Sequence, residues 1–132
     1  MGFVLDFDAG KAVLRVTVEG QVTDEVLSNC YAAVAKYYSS HPLCRCIVDL
    51  SQVTKFAVSS SGIVRLAASP PALPAGFARI LVAHTDFAFG MARMFQMLGE
   101  KTRPDLQVVR TLEEAYRMFE LESPEFSPVL SE

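Results

Sequence analysis

At 132 residues, with 51% hydrophobic and 20% charged side chains, the chain has enough apolar surface for one packed domain, and disorder is excluded over most of its length. Fifteen acidic residues outnumber twelve basic ones, for a net charge of -3 and a pI near 5.4; the basic residues stand singly, which excludes the concentrated Lys and Arg that a nucleic-acid backbone requires. No apolar run approaches the ~20 residues of a membrane span, and the N-terminus alternates where a signal peptide would be an apolar block, so no transmembrane segment and a cytoplasmic address are expected.

In chain order, residues 3–7 and 12–18 read as two strands of a hairpin, with Leu5 and Phe7 and then Leu14, Val16 and Val18 alternating. The turn Asp8-Ala9-Gly10-Lys11 supplies Gly10 for a positive φ. Thr23 is a helix cap, with Asp24 and Glu25 at the positive end of the helix dipole. Leu27, Cys30, Tyr31, Val34 and Tyr38 then form one apolar stripe, which stops before Pro42 with His41 at the helix exit.

The stretch around which the rest is organised is Cys46-Ile47-Val48-Asp49-Leu50-Ser51-Gln52-Val53, followed by Thr54 to Val58: residues 45–50 read as an apolar buried strand that stops at an acid, with a loop following it. A short helix is expected from Ser59 or Ser60 to Ala68, with Ile63, Leu66 and Ala67 inward. The breaker segment 69–76 is a loop, and residues 77–83 form the next strand. Thr85 or Asp86 caps a long helix whose core stripe is read as Phe87, Met91, Met94, Phe95 and Leu98. Residues 106–109 are a last short strand, and Thr111-Leu112-Glu113-Glu114 is a capping box opening a final helix. The tail after Glu122 is expected to fray or to pack loosely. The order β-β-α-β-α-β-α-β-α implies an α/β fold with a mostly parallel sheet, as a single domain over residues 1–122 and a tail over 123–132.

Parallel sheets collect ligands at the carboxyl ends of their strands, which singles out Asp49 with Thr54, the serines Ser59, Ser60 and Ser61, and His84. Asp49 can serve as a base or hold a hydroxyl, although an acid closing a buried strand more commonly caps a loop. The serines can hold an anion or accept a phosphoryl group, and Ser is also a preferred N-cap. A catalytic set would combine Ser59, Ser60 or Ser61 with His84 and Asp49 or Asp86, but no nucleophile elbow, P-loop or dinucleotide fingerprint accompanies it. Phe89 and Arg93 stand four apart on the face opposite Met91, as a cation–π pair or as part of an oligomer interface or pocket mouth. Cys30, Cys44 and Cys46 have no Cys-x-x-Cys spacing; Cys44 and Cys46, two apart, resemble a metal or redox pair, but His41 and His84 bear no regular relation to them, so all three read as buried or half-buried reduced thiols and no metal is expected.

Ile47-Val48-Asp49-Leu50-Ser51-Gln52-Val53 followed by Ser60-Ser61-Gly62-Ile63 resembles the central motif of STAS domains, the fold of sulfate transporters and anti-sigma-factor antagonists. Together with Phe89-Gly90-Met91-Ala92-Arg93-Met94-Phe95 and Thr111-Leu112-Glu113-Glu114-Ala115, it is similar to the SpoIIAA-like family, also described as STAS/SEC14-like, over residues 3–119. The resemblance implies a four- or five-stranded sheet with helices, no obligatory cofactor and a non-enzymatic role. Antagonists of this kind are switched by phosphorylation of a serine in an Asp-Ser-Ser-Gly motif. Here Ser60 is the nearest match to the phosphoacceptor and Ser61 the alternative, but Ala57-Val58 precede the serines and no Asp adjoins them. SEC14-type relatives imply an apolar ligand, with which the Met- and Phe-rich helix is compatible. The expectation is a non-catalytic, dimeric STAS-like module that binds a partner protein or a small apolar ligand. A phosphorylatable switch and a serine hydrolase are the alternatives.

Overall fold

Asp8 shapes the first turn. In the computed structural model, which describes residues 2–129, its carboxylate accepts the Lys11 N–H at 2.9 Å, and its carbonyl accepts the Ala12 N–H at 2.8 Å. The chain therefore reverses between β1 (Phe3–Asp8) and β2 (Val13–Thr23). The positive φ falls on Ala12, at 57°, and not on Gly10: the side-chain bond closes the turn before the chain must enter the left-handed region.

Beyond Val18 the structure departs from expectation. β2 continues to Thr23 and β3 (Arg45–Ala57) runs past Asp49 for eight more residues, so Asp49 and Thr54 lie within a strand, and the expected loop between Leu50 and Ala57 is absent. The two strands extend past their neighbours as a parallel ribbon, pairing Glu19 with Gln52 and Thr23 with Ala57, with register shifts on either side of Glu19–Gly20. Gly20, at φ +72°, takes the left-handed conformation at the second shift without strain, and Val22 returns to the core. Ser51, Gln52, Thr54 and Lys55 read as a loop because solvent lies along this ribbon, where strand periodicity no longer demands apolar residues.

The sheet order is β5-β4-β3-β2-β1-β6. β4 (Arg79–Val82) and β5 (Leu106–Val109) are parallel to β2 and β3, and β1 is antiparallel. Because β2, β3, β4 and β5 lie side by side in chain order, right-handed crossovers put α1 (Asp24–Ser40), α2 (Ser60–Ala68) and α3 (Asp86–Leu98) on one face. The side chains agree: Leu14, Val16, Cys46 and Leu50 pack with Val34, Ile63 and Ala88. α4 (Leu112–Met118) covers the other face, where Ala115 and Phe119 meet Val13, Ile47, Ile80 and Val82.

The tail adds a sixth strand and does not fray within the described residues. β6 (Ser127–Pro128) pairs antiparallel with Asp6 and Phe7, the Glu125 N–H donates to Asp8 at 2.8 Å, and the Phe126 ring lies against Tyr116 with the Arg15 guanidinium 4.0 Å from its centroid. The buried stripe of α3 is also shifted. Ala88 and Ala92 are buried, with Met91, Met94 and Phe95 partly so, whereas Phe87 and Leu98 are 54% and 52% exposed. Small residues allow the helix backbone to approach α2 and the sheet, so the two alanines and not the larger Phe87 centre the contact.

Candidate functional site

Each helix on this face starts from a side-chain cap: Thr23 bonds the Val26 N–H, Ser59 the Gly62 N–H and Thr85 the Ala88 N–H. At α2 the cap is itself held from a distance. Asp24, the first residue of α1, accepts the Ser59 hydroxyl at 2.7 Å and the Ser59 N–H at 3.0 Å. Those bonds, hydroxyl first, lower the Asp24 pKa against partial burial, with a further contribution from the Arg65 charge. Gly62 is the residue that permits this approach, since a Cβ there would overlap the Asp24 carboxylate. An acid therefore does stand beside the serines, brought from 35 residues away. Ser59 and Ser61 hydroxyls are 3.2 Å apart, and Ser60 is exposed.

The other expected site residues do not converge on these serines. Asp49 is buried within β3, between Thr17 and Val82, and its carboxylate accepts the Ser51 N–H at 2.9 Å. It alternates with Val48 and Leu50, which point toward α1–α3, and so belongs to the opposite face of the sheet. Thr54 is exposed on the ribbon, and His84 is exposed at the end of β4. The described hydrogen bonds of Ser59 run to Asp24, Ser61 and Gly62, and none joins a serine to His84, Asp49 or Asp86. Phe89 is partly buried, and the cation over its ring is Arg110, 4.1 Å from the centroid and paired with Asp86 at 2.8 Å. Arg93 is exposed and is not the partner of Phe89.

One hollow, lined by Asp24, Gly62 and Arg65, adjoins the α2 cap, but the apolar one lies elsewhere. Between the sheet and α1, α2 and α3 there is a partly open cavity of about 170 Å³. None of the eight residues singled out from the sequence as possible ligand or partner contacts lines it. Its walls include Val34, Val48, Leu50, Phe56, Leu81 and Phe95. The two faces of the central strands show its effect: Ile47, Ile80 and Val82 under α4 are no more than 1% exposed, but Val48 and Leu81 on the cavity side are only partly buried.

Few polar groups touch the cavity. The Tyr38 hydroxyl donates to the Cys44 carbonyl at 3.0 Å, and burial raises the tyrosine's pKa. Burial likewise pushes the Cys30 and Cys46 thiols up to about 12, so they remain protonated and poor nucleophiles. Two arginines, Arg79 and Arg103, complete the wall, and both are more than nine-tenths buried. Arg103 donates to the carbonyls of Leu66, Ala67 and Ser69 at the C-terminal end of α2, where a cation is favoured by the helix dipole. Among the described residues, no group of three or more His, Cys, Asp or Glu could hold a metal ion, and no helix is long and apolar enough to cross a membrane.

No protein-family model and no curated protein matches this chain. The site is therefore read from its own chemistry. Arg79 falls inside the strand expected over residues 77–83, whose buried centre reads as Ile80-Leu81-Val82, and it is not among the candidate site residues. The available signal was Arg79 two positions before Leu81, which puts both on the same face of a strand whose other residues are apolar.

Proposed function

We propose that the protein is a non-catalytic binding module that takes a small, largely apolar ligand between the sheet and the three helices α1, α2 and α3. The observation that carries this reading is the cavity of about 170 Å³, larger than the roughly 150 Å³ engineered cavity that stays dry and takes up benzene. A ligand held there would cover the partly exposed Val48 and Leu81 and, by binding only the folded state, stabilise the fold. The protonated thiols and the dispersed positions of Asp49, His84 and the serines give nucleophilic catalysis no support. The STAS/SEC14-like resemblance is compatible with this reading, since the element order is that of a small α/β domain and the SEC14-type relatives imply an apolar ligand.

The test is native mass spectrometry of protein taken directly from cells, followed by thermal titration with ring-sized apolar compounds. The expected result is extra mass that extracts into organic solvent, and a melting temperature that rises with ligand concentration. Val48→Phe, which places a ring in the cavity, should abolish both. Bare protein with no response to any such compound would overturn the proposal. Covalent phosphoryl mass at the exposed Ser60 would instead favour the switch reading, in which a charge added at the start of α2 is set against Asp24.

A further inference from the structure

The cavity contains an electrostatic imbalance. Neither Arg79 nor Arg103 forms a salt bridge among the described residues, whose ion pairs are Arg15–Asp6, Arg65–Asp24 and Arg110–Asp86. Arg103 is satisfied by three backbone carbonyls at the negative end of α2 and by the face of Phe95, 4.9 Å away. Arg79 is not. Its Nη2 donates to the carbonyls of Pro74 and Phe77, at 2.7 and 3.3 Å. Its Nε is buried and has no partner, and no described hydrogen bond uses its Nη1. Asp105 acts on Arg79 through space, but its Oδ2 is taken by the Gly76 N–H at 2.7 Å and it is beyond salt-bridge distance. Burial lowers the Arg79 pKa, and among the charges acting on it that of Arg103 pushes the same way. A buried cation with a free donor is a costly arrangement unless something anionic completes it.

Resting on the reading of the cavity as a ligand site, we infer that its ligand is an amphiphilic acid: an apolar body near the size of one aromatic ring, carrying a carboxylate that pairs with Arg79. A single negative charge fits because the Arg103 charge already faces the α2 carbonyls, which leaves one cation unbalanced. Position fits as well. Arg79 pairs with Cys46 on β3 and Leu106 on β5, at the amino-terminal ends of these strands, whereas Leu50 and Phe56 wall the cavity farther along β3. The ligand would therefore lie along the sheet face with its acid at the Arg79 row and its body toward Leu50.

Calorimetric titration with phenylacetate and with its uncharged counterpart phenylethanol tests this. The acid is expected to bind more tightly, and Arg79→Met is expected to weaken the acid by roughly 10- to 100-fold, the range for a hydrogen bond to a charged group, with little effect on the alcohol. Arg79→Lys, which keeps the charge, should recover part of the loss. A purely structural arginine would on substitution weaken both compounds alike, which would overturn the inference. Equal binding of acid and alcohol, unchanged in Arg79→Met, would overturn the acid head and leave the cavity reading standing. Binding of neither compound, with Val48→Phe indistinguishable from the parent in every assay, would overturn both.

Discussion

One methylene added on either face of the same sheet should have opposite effects. Val48 borders the cavity and is only partly buried, whereas Val82 on the α4 face is 0% exposed. Isoleucine keeps the β-branch at both positions, so strand propensity is held constant. At Val48 the extra group enters open apolar space and should contribute about 0.8 kcal/mol, the value of one buried methylene. At Val82 it meets a filled core, and overpacking should cost about 1–3 kcal/mol. Urea unfolding measures both. With a slope of about 1–3 kcal/mol per molar, Val48→Ile should raise the midpoint by roughly 0.3–0.8 M, Val82→Ile should lower it, and neither should change the slope. A Val48→Ile variant as destabilised as Val82→Ile would mean that the space beside Val48 is already filled by side chains, and the cavity argument would fail.

Three further outcomes follow from local geometry. Ser59→Ala removes the α2 cap and should cost about 1 kcal/mol in chemical unfolding; an unchanged midpoint would show that Asp24 holds the first turn without it. Burial alone would raise the Asp8 pKa, but backbone N–H donors at Glu125, Lys11 and Gly10, with the Lys11 charge, outweigh it and lower the pKa. Its stabilising contribution is therefore full above the ordinary carboxylate value of 3.8 and is lost as pH falls through the lower folded value. Hydrogen exchange of the Val129 N–H, which donates to Leu5 in the tail's pairing with β1, should lose protection over that acid range before the central strands do; simultaneous loss would show that the tail is not held by Asp8. Ala12→Gly relieves a left-handed alanine at φ 57°, and should stabilise by about 0.5–1 kcal/mol once the greater chain entropy of glycine is deducted, measured by thermal melting; a lower melting temperature would contradict that account.

What the sequence determined by itself is what short-range chemistry controls. Thr23, Ser59, Thr85 and Thr111 each cap a helix within three residues of the donor they bond. The apolar stripe on α1 and the alternating residues of β1 and β2 follow from periodicity, and the order of elements gave the mixed, mostly parallel sheet. Where solvent replaced a packed face, as along the β2–β3 ribbon, polar residues no longer distinguished strand from loop. The α3 stripe was misplaced for a related reason: hydrophobicity favours Phe87, but close approach to α2 and the sheet favours Ala88 and Ala92. Tertiary structure alone decided the rest. It brought Asp24 to Ser59, moved Arg110 rather than Arg93 over Phe89, sent Asp49 to the face away from the three helices, and left Arg79 beside the cavity without an acidic partner. Those relations join residues far apart in the chain, and their energies depend on burial and distance, neither of which is written in local residue order.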